Sequence, residues 1–96
     1  MASRRVSLIT TDMRHCYKCG TTQNIHMHHM MHGCHRKNAD KYGLIIPLCA
    51  KHHNASNEGV HFNHAFDEEV KQIAQKKFEL VYGHEEWMRV FGRNYL

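Results

Sequence analysis

Two pairs of residues in this chain carry the spacing of a metal site, Cys16-x-x-Cys19 and Cys49-x-x-His52. Thiolates and imidazoles are zinc ligands, and zinc takes four of them tetrahedrally. A gap of two residues lets one turn aim both side chains of a pair at one ion. Without a secretion signal, a CxxC favours metal over disulfide, and the βαβ pattern that accompanies redox motifs is absent. The expected cofactor is a structural Zn2+ on Cys16, Cys19, Cys49 and His52. Cys34 is left over and reads as a spectator thiol in a loop. His52 and His53 are neighbours, so either can complete the quartet.

Histidine is the second anomaly, with 11 in 96 residues. With His52 given to zinc, His28, His29, His53 and His61 remain close to one another if a strand pair packs on the helix that follows Cys49. Imidazole binds divalent metals, and its near-neutral pKa suits a general base. A metal ligand beside a base is what phosphodiester hydrolysis needs. His26, His32, His35, His64 and His84 read as surface or hydrogen-bonding residues, and Met27, Met30 and Met31 as packing.

Charge points to the same class of partner. Residues 1–53 hold eight Lys/Arg and two acids, a balance of +6, and eight of the histidines; residues 54–96 carry −2, within a net charge of +4. A basic half rich in metal-ligand residues suits a polyanion, most simply nucleic acid. Arg36, Lys37 and Lys41 are the candidate phosphate contacts.

The ordered set Cys16-x-x-Cys19, His28-His29, Cys49-x-x-His52-His53 resembles the HNH endonucleases with their ββα-metal site. Pro47-Leu48-Cys49 and Gly59-Val60-His61 are similar to the small phage-encoded HNH proteins of the recombination-enhancement (Ref) type. The resemblance covers roughly residues 16–61. It implies a treble-clef-like α+β fold and a metal-dependent endonuclease acting on DNA in phage or prophage recombination. His28 and His53 would be catalytic metal ligands and His29 the general base on water. His61 would be an additional ligand or phosphate contact, and the ion Mg2+, Mn2+ or Ni2+. The family's middle Asn falls near Leu44, so a backbone carbonyl or Asn38 would orient the base instead. A homodimer or a recombination protein is the further partner that the family suggests. The alternative is a catalytically inactive zinc module that binds DNA or a protein.

The elements that must position these residues follow from pattern. Residues 1–14 read as an arm and 15–96 as one domain, with core 16–61 and C-terminal helices within 63–92. Cys16 to Gly20 is a tight knuckle. Residues 25–32 and 44–48 read as strands, with Pro47 at an edge or near an end. Gly33 to Gly43 reads as a loop, and 49–57 as a short helix. Phe66, Val70, Ile73, Ala74, Phe78, Leu80 and Val81 predict a longer helix capped by Asn63 and ended by Gly83. Trp87, Val90 and Phe91 predict a last one over 85–91. No apolar run spans a bilayer or makes a signal peptide, so the expected location is the cytoplasm, and the resemblance adds a bacterial or phage-infected cell.

Overall fold

Ile45-Ile46-Pro47-Leu48-Cys49 is apolar throughout and buried at every position, and it forms strand β2 (Ile45–Cys49). Its partner is β1 (Ile25–His29), antiparallel, with Ile25 opposite Cys49 and His29 opposite Ile45. A computed structural model supplies this fold and describes residues 7–55 and 59–96. Arg4, Arg5 and most of the first half of the expected arm lie outside the described residues, as do positions 56 and 57 of the expected helix over 49–57. The described part of the arm is tied to the sheet: Leu8 donates its N–H to Gly43 O, and Ser7 Oγ donates to Ile45 O. Pro47 lacks an N–H, but its carbonyl accepts from Tyr17 N at 2.7 Å, which joins the cysteine knuckle to β2.

The expected loop over 33–43 is helical instead. A 3-10 turn, Gly33–His35, leads into α1 (Arg36–Lys41). Ala39 is fully buried and anchors it. One buried residue makes no hydrophobic period, which is why the sequence reads as loop there. A π-helical turn, Lys51–Ala55, follows β2 directly.

Helix α2 (His64–Tyr82) starts where expected, with the Asn63 side chain accepting from Phe66 N. It buries Phe66, Val70, Ala74 and Phe78, but Leu80 and Val81 are exposed rather than part of the buried stripe. Steps of four residues drift by about 40° around a helix. Leu80 lies about 200° around the helix from Phe78 and so points away from the core, and Val81 falls in the last turn, where Tyr82 is also exposed. Helix α3 (His84–Phe91) packs Trp87 and Phe91 on Phe78, with ring centroids 5.4 and 5.8 Å away. Gln75, also buried, holds the C-terminal tail: its amide donates to Asn94 Oδ1 and its carbonyl accepts from Tyr95 N, both at 2.7 Å. The result is a small α+β fold, and no described helix is long and apolar enough to cross a membrane.

Trp87→Ala should cost about 3–5 kcal/mol, because it removes the largest buried side chain between α2 and α3. Leu80→Lys should change stability by less than about 0.5 kcal/mol. Urea unfolding of both variants checks the assignment of the two faces.

Candidate metal centres

The knuckle is closed by Gly20 N donating to Cys16 O and Cys16 N donating to Thr21 O, both at 2.8 Å. Gly20 sits at φ +81°, a conformation that a side chain disfavours. This turn, the end of β2 and the π-helical turn bring Cys16, Cys19, Cys49 and His52 together, with ligand atoms all within 4.8 Å of one another. Cys19 Sγ lies 3.8 Å from Cys49 Sγ, and His52 Nδ1 lies 3.3 Å from Cys49 Sγ and 3.8 Å from Cys16 Sγ. Ligands at zinc bond lengths in a tetrahedron have edges of roughly 3.8 Å between sulfurs and roughly 3.6 Å from sulfur to nitrogen. The observed edges match that figure.

Burial raises the Cys16 thiol, but N–H groups of Cys49, Cys19 and Lys18 donate to its sulfur and outweigh this, lowering its pKa to about 6. Burial pushes the Cys49 thiol up. The site thus favours one thiolate already, and a divalent cation would favour the others. All four cysteines are free, and Cys34 is exposed, outside the quartet. These four ligands fit zinc.

His53 is next to His52, and side chains one residue apart on a helical turn diverge by about 100°. His52 turns to the sulfurs. His53 turns toward β1, where His28, His53 and His61 form a second group with ligand nitrogens within 4.8 Å of one another. His53 Nε2 and His61 Nε2 are 3.1 Å apart. His28 is buried, and its Nε2 is the one buried side-chain polar atom among the described residues without a hydrogen-bond partner. An orphan of this kind costs about 1–3 kcal/mol unless something occupies it. Three imidazoles facing one point, one of them otherwise unsatisfied, fit a divalent metal ion. Burial, then the neighbouring imidazoles of His53, His61 and His32, holds His28 neutral, with its pKa lowered to about 3. Burial, then His61 and His26, lowers His53 to about 4. Neutral imidazole is the form that binds metal.

The backbone that joins these ligands is tight. His61 N donates to His53 O at 3.2 Å, and Val60 N to His52 O at 2.8 Å. A Cβ on Gly59 would lie 2.8 Å from His53 O and 3.0 Å from Asn54 N, too close for any side chain.

His29 stands apart from the trio, as alternation along a strand requires. It lines the same cleft of about 200 Å³ as His28, His32, Arg36, His53 and His61. Its Nε2 lies 3.3 Å from Asp40 Oδ1. The α1 carboxylate of Asp40 therefore holds this ring, and Leu44 is fully buried in the core. Two histidines that pattern reading set aside belong here. His26 Nδ1 lies 3.0 Å from His53 Nδ1, which leaves His53 Nε2 for the trio. The period of two along β1 puts His26 on the face of His28, a signal available from sequence. His32 Nε2 meets Asp67 Oδ1 at 3.2 Å, and no local pattern reveals that contact across 35 residues. Arg36 lines the cleft, Lys37 an adjoining cavity, and Lys41 lies over the Tyr42 ring, 5.5 Å from its centre and away from both.

No family model, curated protein or solved structure matches the chain. The reading of these sites rests on their geometry.

Purified protein should carry about one tightly held zinc per chain, with Cys16→Ser losing both zinc and cooperative unfolding, since metal binding is folding energy in a domain of this size. Metal analysis with thermal melting measures both. A pH effect follows from His28. Its folded pKa of about 3 lies below the unfolded value of about 6.5. The unfolded chain therefore binds the extra proton between those values, and stability is lost as pH falls through that window. The drop in Tm from pH 7 to pH 5 should be larger in wild type than in His28→Leu, in which zinc-ligand protonation is unchanged.

Proposed function

We propose that this chain is a metal-dependent endonuclease of the HNH type that hydrolyses DNA phosphodiester bonds. The observation that carries the reading is the trio His28, His53 and His61, with its unsatisfied buried nitrogen, one residue along the strand from a histidine held by a carboxylate. A structural zinc module needs neither feature. The +6 balance of residues 1–53 and the placement of Arg36 in the cleft support a polyanionic substrate.

When bound at the trio, a divalent ion supplies Lewis-acid polarisation of the scissile phosphate and charge for the leaving oxygen. The chain's own residues supply the rest. His29, held by Asp40 through Nε2, would take a proton from the attacking water. Asp40 then stabilises the imidazolium. His26 accepts from His53 Nδ1–H and fixes the tautomer that presents Nε2. Arg36 holds a phosphate oxygen, and Asp67 holds the His32 ring at the cleft wall. Three nitrogen donors favour Ni2+ over Mn2+ and Mn2+ over Mg2+, because Mg2+ prefers oxygen ligands.

His29→Ala should reduce plasmid nicking by roughly 10² or more while zinc content and Tm stay near wild type. Asp40→Asn should lose less, and activity should fall in the order Ni2+, Mn2+, Mg2+. Nicking by repurified His29→Ala at the wild-type rate would remove His29 from the role of base.

A further inference from the structure

Beside the catalytic cleft lies a second, larger cavity, on the other side of His29. It has a volume of about 430 Å³ and is lined by His29, Gly33, Cys34, Arg36, Lys37 and Asp40. His29 and Arg36 line both spaces, so the two adjoin at these side chains. The larger one is built by the 3-10 turn and α1. Gly33, at φ +66°, has no neighbouring atom within 4 Å of where a Cβ would stand, which keeps that wall open. Arg36 and Lys37 are exposed at its rim.

We infer that this cavity is a nucleoside subsite and that the strand cut here is unpaired at the cleavage position. The inference rests on the nuclease reading and names its substrate. A volume of this size lies within the range of about 300–1,000 Å³ typical of small-molecule pockets. It adjoins the place where a phosphate at His28, His29 and Arg36 would lie, so a nucleoside next to that phosphate is the group that would enter it. Two adjacent cations at the mouth suit the flanking phosphates of the same strand. A base stacked and paired inside a duplex cannot reach such a cavity, because it must first leave the stack. A nuclease that reads only the duplex backbone needs cations on a surface and no cavity beside its base.

The experiment compares labelled oligonucleotides of one sequence as single strand, as duplex, and as single strands with one abasic position moved along the chain. Bis(4-nitrophenyl) phosphate serves as a substrate with no nucleoside. The single strand should be cut roughly 10-fold faster than the duplex, and an abasic site at one position beside the cut should slow cleavage by a similar factor, as loss of one base contact does. Cys34→Trp fills the cavity from an exposed position. It should lower oligonucleotide cleavage at least tenfold more than it lowers hydrolysis of the small diester, with Tm retained. Equal cutting of single strand and duplex with no abasic effect overturns the subsite and leaves the nuclease reading standing. If no substrate is cut, the nuclease reading falls, and anisotropy with the same labelled strands decides the subsite alone. Tighter binding of the intact strand than of every abasic one, lost in Cys34→Trp, supports it; equal binding overturns it.

Discussion

Cys16, Cys49 and His52 are buried side by side, and in a chain of 96 residues that cluster occupies space an apolar core would otherwise fill. Thiols and an imidazole pack poorly on their own account, and small domains commonly need a staple to hold. A cation held there would join three segments: the knuckle, the end of β2 and the π-helical turn. The rest of the molecule hangs from that point. Lys18 in the knuckle lies over the Phe66 ring, 5.1 Å from its centre, beside the buried stripe that docks α2. The π-helical turn that delivers His52 delivers His53 to the opposite side. One turn of backbone thus serves two sites, and the second inherits the rigidity of the first.

The Cys/His quartet that could hold a metal ion was legible because its chemistry is local. Two residues between ligands is a backbone constraint, and both halves carry it. The adjacent pair His52–His53 left an ambiguity that spacing cannot resolve. Geometry resolves it, with His52 Nδ1 against two sulfurs and His53 Nε2 against His61. The strand pair was legible from the β-branched run at 44–48, although its register runs one residue later, at Ile45–Cys49.

Other parts were not legible, for physical reasons. Helix α1 is six residues long with a single buried position, so its stability comes from docking rather than from its own pattern. Its existence gives His29 a carboxylate partner, because Asp40 reaches the ring from the helix. Asp67 meets His32 only because α2 packs across the sheet end. Gln75 reads as a polar interruption in the α2 stripe, yet it is fully buried, since the tail at 94–95 returns to satisfy its amide. Contacts of this kind are made by the assembled fold and have no signature in a window of sequence.

Gly59 is the quietest residue near the candidate site. It offers no side-chain ligand and no charge, only a carbonyl that accepts from Phe62 N and Asn63 N at 3.0 and 2.9 Å. Yet the carbonyl of His53 sits where its first side-chain carbon would be, 2.8 Å away. For redesign of the metal centre this inverts the usual hierarchy of caution. A ligand has substitutes: an aspartate or a cysteine in place of His61 offers another donor on a different arm. The bare position between the two histidines has none, because every other amino acid begins with the same carbon. The freedom to exchange chemistry at this centre is borrowed from a position with an alphabet of one letter.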